Sequence, residues 1–325
     1  MKALRFVGNA SAQVDELPVP RIGSDEVLVA ARVVGICHSD IDLLEGRYII
    51  PFHYPVTPGH EWAGEVVEVG SDVSGLSAGD RVVGECVIGS DHFGFSVNGA
   101  AAEFFVARPE WLHKLPDSMT WTQGALVEPF SCGYYATIRA DNLDASDSVV
   151  VLGAGPIGLG TVAAAAGRRA TVIAADPNPN RRKLAETLGA DVTLDPNDEG
   201  FVDAVHEHTG GRGASVVIEA SGRPGAMATA LEVAGFQARL VMVGINVGDS
   251  VPARLGLIQS KELQVRGTIG SPGVWPQTLR FLARTGIDLS PLVTTTFPLA
   301  EADKAVDLVY NGRGQIKVHL VSEAV

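Results

Sequence analysis

Apolar and polar positions alternate in two different textures along this chain. Over residues 1–139 short valine-rich runs, LVAARVVGI, AGEVVEVG and DRVVGE, are separated by stretches such as PRIGSDE, GSDVSGLSAGD and FSVNG. Brief apolar runs bounded by glycine, proline and small polar residues predict β-strands and turns. From Asp147 six more apolar runs follow: SVVVLGAG, TVIAAD, DVTLD, SVVIEA, RLVMVG and LQVRGTI. Helical patterns separate most of them, GLGTVAAAAGRR, NRRKLAETLGA, FVDAVHEHTG and GAMATALEVAG. Strands alternating with helices predict βαβ units and a parallel sheet, and six of them suit a doubly wound α/β sheet with helices on both faces. After about Gly286 the alternation stops. VTTTFPL, the helix AEADKAVDLVYNG and the strand IKVHLVS resemble the first texture again. The expected division is therefore 1–139, 140–286, and a return to the first domain over 287–325.

A length of 325 residues exceeds what one small core needs, which agrees with two domains. At 46% hydrophobic and 19% charged residues, the composition is that of a well-buried globular protein. Every apolar stretch is broken well before the about 20 residues of a membrane span. The opening MKALRFVGNA lacks the apolar core and cleavage site of a signal peptide and reads as an edge strand, so the cytoplasm is expected. Cys37, Cys86 and Cys132 form no C-x-x-C pair and no disulfide framework, which fits a reducing compartment. A net charge of −13 argues against nucleic acid as a partner. It would suit a cationic substrate, although such a balance is also common on ordinary soluble surfaces.

Two stretches carry chemistry. In VVVLGAGPIGLG, Gly153, Gly155 and Gly158 have G-x-G-x-x-G spacing between an apolar strand and an alanine-rich helix. That context predicts a dinucleotide pyrophosphate held at the helix N-terminus, with Gly153, Gly155, Pro156, Ile157 and Gly158 around it. Asp176 follows Gly155 by 21 residues, at the end of the second strand of the unit. A carboxylate there binds adenosine ribose hydroxyls and repels a 2′-phosphate, so NAD is expected over NADP. Arg181 is placed to stack on adenine, or to tolerate the phosphate.

The second stretch is VVGICHSDIDLLEG, residues 33–46, with Cys37 beside a histidine, a hydroxyl and carboxylates. Alone it leaves Cys37 open as a buried hydrophobe, a nucleophile or a metal ligand. Downstream, TPGHEWAGEVVEVG brings His60 and Glu61, and ALVEPFSCGYYA brings Glu128. One thiol, one imidazole and carboxylates form the kind of mixed set that zinc accepts.

Taken together, GICHSD, PGHEWAGEVVEVG, GDRV at 79–82, LHKLPD at 112–117 and GAGPIG resemble, in type and order, the zinc-dependent medium-chain dehydrogenases. The similarity runs over essentially the whole length and is greatest to the polyol branch of sorbitol and threonine dehydrogenases. It implies a GroES-like β-rich catalytic domain joined to a Rossmann domain. It also implies Cys37, His60 and Glu128 as catalytic zinc ligands, with Glu61 a ligand or exchangeable neighbour. By the same resemblance Asp40 orients His60, Ser39 takes the substrate proton, and His38 lies near the cofactor pyrophosphate. EASG at 219–222, VGIN at 243–246 and TIGS at 268–271 are expected around the nicotinamide.

Two features depart from the family pattern. Between Asp80 and Glu103 stands only Cys86, so the four-cysteine structural zinc is absent and one zinc per chain is expected. Where many relatives place a relay histidine, five residues after the ligand cysteine, this chain has Asp42. Asp42 is a proton relay, a surface charge or a contact to a cationic substrate. The resemblance implies reversible oxidation of a secondary alcohol on a polar substrate such as a sugar alcohol, cyclitol, amino sugar or aminocyclitol. Tyr48, Phe52 and His53 are candidates to line its pocket, or simply to pack the lobe. The rivals are a simple alcohol or aldehyde dehydrogenase, a zinc-free reductase of the same fold, and a non-enzymatic NAD(H)-binding protein. A homodimer or tetramer is expected, with strand 263–269 or its neighbours at an interface.

Overall fold

The computed structural model describes residues 1–141, 143–246, 248–312 and 314–323. In chain order the elements begin with β1 (Lys2–Gly8), β2 (Ser11–Glu16), β3 (Val27–Ile36), α1 (His38–Leu44), β4 (Glu61–Val69) and β5 (Arg81–Gly84). Then come β6 (Val87–Ile88), β7 (Asp91–His92), β8 (Phe104–Ala107), β9 (Leu112–Lys114), α2 (Trp121–Ala125) and α3 (Val127–Arg139). There follow β10 (Ser148–Leu152), α4 (Pro156–Gly167), β11 (Thr171–Ala175), α5 (Pro179–Thr187), β12 (Val192–Leu194) and α6 (Phe201–His208). After these lie β13 (Ala214–Glu219), α7 (Pro224–Val233), β14 (Ala234–Met242), α8 (Gly256–Ser260), β15 (Gln264–Gly267) and α9 (Trp275–Thr285). The chain closes on β16 (Val293–Pro298), α10 (Ala302–Asn311) and β17 (Lys317–Val321).

Two compact units result, Met1–Glu128 with Trp275–Val325, and Pro129–Val274. Both boundaries fall earlier than the change of texture, at 128/129 and 274/275 rather than 139/140 and 286/287. Helical continuity is the reason. The first boundary lies inside α3, which runs unbroken from Val127 to Arg139, and α9 belongs with the first unit although it follows directly on the βαβ pattern.

In the first unit the main sheet runs β16-β17-β3-β4-β5-β9, with β8 also paired to β3. β3 is its middle strand and is buried at nine of its ten positions, which explains a continuous apolar run where a half-exposed strand would alternate. β17 lies antiparallel against β3, with Val318 opposite Ile36 and His319 opposite Gly35. The chain end therefore does return to the first unit. The N-terminal β1 pairs with β2 in a separate two-stranded sheet.

In the second unit the described strands are ordered β12-β11-β10-β13-β14-β15, and all are parallel. The order reverses between β10 and β13, and ligands of such sheets bind beyond the strand C-termini at that reversal. Val149, Val150, Val151, Val172, Ile173, Val216 and Val217 are wholly buried there. Among the described residues no helix is long and apolar enough to cross a membrane.

Candidate active site

α1 starts directly after β3, and Cys37 is the residue between them. Its backbone N–H donates to Asp40 Oδ2 at 2.9 Å, so the carboxylate three residues on caps the first turn. The other oxygen, Asp40 Oδ1, lies 3.4 Å from Nδ1 of His60. One buried carboxylate thus fixes the start of α1 and faces one side of the imidazole. The opposite ring nitrogen, Nε2, is left 3.4 Å from Ser39 Oγ. His60 ends the Pro-Gly turn before β4, and Glu61 opens that strand opposite Gly35. One ligand atom each from Cys37, His60 and Glu61 lie within 4.8 Å of one another.

Burial by itself would lower the His60 pKa. The Asp40 carboxylate, then Cys37 and Cys86, outweigh it and hold the ring well above its usual value. The surrounding anions therefore favour positive charge at this imidazole. A thiol, an imidazole and a carboxylate converging on one point suit zinc. Glu128 is buried in the first turn of α3, and its charge acts on Cys86, Tyr48 and Lys317. Cys86, the lone cysteine of its segment, donates its S–H to the Phe93 carbonyl at 3.7 Å, and burial pushes its pKa up to about 12. It stands beside the cluster as a protonated thiol.

The sequence reasoning missed Lys317. This residue of β17 is 3% exposed, and its Nζ lies 2.7 Å from each oxygen of Glu61. Burial would lower its pKa, but Glu61, then Cys37 and Glu128, raise it. His319, two residues along on the same face, is 1% exposed with neither ring nitrogen hydrogen-bonded. In IKVHLV these two polar residues alternate with apolar ones, which reads as the wet face of an edge strand, so no sequence signal pointed to them.

Other expected residues are placed as follows. Asp42 is mostly buried with Oδ1 2.8 Å from Arg47 Nη2, an ion pair within one turn of chain. Tyr48 stacks on Phe95 at 4.8 Å between ring centroids, and Phe95 in turn lies 5.0 Å from the His60 ring. Phe52 packs on Tyr54 instead, while His53 and His38 are exposed.

In the second unit the glycine loop follows β10. Gly153 has φ 97°, and a Cβ there would sit 2.7 Å from that of Ser221. A Cβ on Gly158 would strike the Gly153 carbonyl, whereas one on Gly155 would meet nothing within 4 Å. Two glycines are thus needed for packing, and the third borders open space at the N-terminus of α4, where a pyrophosphate could approach. Asp176, at the end of β11, is buried and accepts the N–H groups of Ala154 and Asn178, each at 2.8 Å. Arg181 Nη1 lies 3.8 Å from the same carboxylate. After β13, Glu219 is buried and accepts the N–H groups of Ser221 at 2.8 Å and Gly222 at 3.1 Å, which shapes residues 219–222. Burial raises its pKa despite those donors. Residues 243–246 and 268–271 follow β14 and β15.

A cluster with the donors for a metal in one unit, and a glycine loop suited to a dinucleotide in the other, are the parts of a metal-dependent dehydrogenase, and the comparisons agree with that class. Residues 23–117 match the alcohol dehydrogenase GroES-like domain, and residues 156–284 match the zinc-binding dehydrogenase family. The chain is 33% identical over 354 residues to erythritol/L-threitol dehydrogenase of Mycolicibacterium smegmatis, covering 99% of this chain and 97% of that one. It is also 33% identical over 328 residues to D-arabitol-phosphate dehydrogenase of Enterococcus avium, covering 94% and 93%. A Sinorhizobium meliloti protein described as a zinc-binding dehydrogenase, solved bound to NADP, superposes with a TM-score of 0.92 at 28% identity, over 98% of each chain. This chain belongs to the zinc-dependent alcohol and polyol dehydrogenase family, whose chemistry uses zinc and a nicotinamide cofactor.

Proposed function

We propose that this enzyme oxidises a secondary alcohol of a small polyol-like substrate to the ketone, reversibly, with NAD and one zinc ion per chain. The observation that carries the reading is the Cys37, His60 and Glu61 cluster within 4.8 Å, in a chain that also holds the Gly153–Gly158 loop. Zinc supplies a Lewis acid that lowers the pKa of the substrate hydroxyl, and the nicotinamide accepts the hydride. Cys37, His60 and Glu128 would hold the metal, with Glu61 beside them. Asp40 orients His60 through Nδ1. Ser39 Oγ, next to Nε2, takes the alcohol proton and passes it on. The Arg47 ion pair favours a structural role for Asp42 over a relay.

NAD rather than NADP rests on Asp176, whose carboxylate opposes a 2′-phosphate and engages Arg181, the cation that could have welcomed one. The NADP-bound neighbour makes this a point to measure. The substrate class draws on the relatives named for tetritols and arabitol phosphate, and sugar alcohols, cyclitols, amino sugars and aminocyclitols all fit it. Cys37, Cys86 and Cys132 are in no disulfide, which suits the cytoplasm. We also infer a homo-oligomer joined along β15, an edge strand of the described sheet, with Phe236, Val265 and Ile269 exposed nearby.

Metal analysis with a substrate panel tests this reading. We expect one zinc per chain and NADH formation with polyols above simple primary alcohols. Cys37→Ser should lose metal and turnover while NADH binding persists. Full activity without zinc would refute the mechanism, and preference for ethanol-like substrates would favour the simple alcohol dehydrogenase instead.

A further inference from the structure

Two tyrosines stand in the segment that follows α1, and their hydroxyls are treated differently. Tyr54 donates its O–H to the Leu43 carbonyl, with the Leu44 carbonyl at 3.4 Å, so its polar tip is satisfied at the end of α1. Tyr48 makes no hydrogen bond among the described residues. Its ring is nonetheless held. It stacks on Phe95 at 4.8 Å with 21° between the planes, and Phe95, 1% exposed, lies 5.0 Å from the His60 ring. The residue before it is fixed as well: the Arg47 backbone N–H donates to the Asp42 carbonyl at 3.0 Å, beside the Arg47–Asp42 ion pair. A buried tyrosine usually finds a partner for its hydroxyl. This one, half-buried and fixed in place, has none within the protein.

The phenol also feels the cluster. Burial, first of all, raises its pKa; the His60 charge lowers it, and Cys37, Cys86 and Glu128 raise it again. The result is a protonated O–H at the side of the site where an alcohol would react. The neighbouring polar groups are already engaged. Cys86 donates to the Phe93 carbonyl, and Asp40 caps α1 and faces His60. A second hydroxyl on a substrate entering beside Phe95 would lose its water against an aromatic ring unless Tyr48 received it.

We propose that Tyr48 is a specificity-determining residue, whose phenol hydrogen-bonds a substrate hydroxyl other than the one oxidised and so selects polyols over alcohols with a single hydroxyl. This rests on the polyol dehydrogenase reading and adds to it the group that recognises the polyol. A phenolic O–H both donates and accepts, as an alcohol does, so the two are matched whichever supplies the proton. A contact to a part of the substrate that does not react is made in the ground state and the transition state alike. Its loss therefore falls on KM rather than on kcat.

The test is Tyr48→Phe, which keeps the stack on Phe95 and removes only an oxygen that bonds nothing in the protein. Steady-state kinetics compare 2-butanol with whichever of erythritol, D-arabitol, D-sorbitol and myo-inositol native protein oxidises best. The ratio of kcat/KM for that polyol to kcat/KM for 2-butanol should fall by about 2–10-fold, the change expected for one neutral hydrogen bond, through a raised KM for the polyol. An unchanged ratio would overturn the proposal. So would a fall carried by kcat alone, which marks a disturbed reaction centre rather than a lost substrate contact. Native protein supplies a check that needs no variant: kcat/KM should be higher for the polyol than for 2-butanol, and the reverse order would also overturn the proposal. Native protein that oxidises none of these alcohols fails the dehydrogenase reading itself, a result told apart by the absence of any turnover, and the role of Tyr48 falls with it.

Discussion

Acid sensitivity centred on His319 is a consequence of the buried face of β17. The ring is 1% exposed, neither nitrogen has a hydrogen-bond partner, and burial, then the Lys317 charge, lower its pKa to about 3. In the unfolded chain the ring titrates near 6.5, so below that pH the unfolded state takes up a proton that the folded state refuses. Stability is therefore full above about pH 6.5 and falls progressively towards pH 3. At pH 5 the loss amounts to about 2 kcal/mol. For a unit of this size that is a fall of about 4–8 °C in unfolding temperature. His319→Leu removes two nitrogens that bind nothing, so it should keep near-native stability at pH 8 and lose that part of the acid dependence. Thermal unfolding of zinc-loaded native and variant protein at pH 8 and pH 5 gives the comparison. Contributions from the metal site are common to both and cancel. Equal losses in the two proteins, or an NMR titration of His319 near 6.5 in the folded state, would refute the reasoning.

Asp176→Ser should erode the preference for NAD, measured as the ratio of kcat/KM for the two cofactors. It should also loosen the glycine loop, because the Ala154 N–H loses its acceptor. Native protein that uses NADP equally well would overturn the assignment. Ser39→Ala should retain metal and bind NADH while alcohol oxidation slows by about 10²–10⁴-fold, as for loss of a positioned proton acceptor; an unchanged kcat would remove Ser39 from the proton path.

The parts of this molecule that could be read from sequence are those whose determinants are local. Each strand of the parallel sheet is a short apolar run because both of its faces are covered, and each helix between them keeps a helical period, so their alternation survives in one dimension. The glycine loop is legible for the same reason: Gly153, Gly155 and Gly158 do their work within six residues. Cys37 precedes α1 directly and Ser39 and Asp40 lie in its first turn, and His60 and Glu61 are adjacent. The domain boundaries were harder because a helix carries no mark of the unit against which it packs. α3 changes unit in its first turn with no break in pattern. Asp42 was ambiguous because its partner, Arg47, is brought back only by the turn after α1.

Lys317 and His319 belong to another category. Lys317 meets Glu61 across 256 residues of sequence, and its strand shows the alternation of a half-wet edge. Only the pairing of β17 with β3 turns that polar face inward. Once it is inward, charge balance limits what the site can hold. Lys317 neutralises Glu61, and His60 bonded to a metal is neutral. The buried carboxylates that remain are Asp40, beside His60, and Glu128, and Cys37 would add a further negative charge on bonding a metal, in a setting that water cannot screen well. A divalent cation offsets more of that excess than a monovalent one. Without Lys317 the Glu61 carboxylate would add one more uncompensated negative charge to the same site. β17 thus brings to the proposed ligand set a compensating charge rather than a ligand.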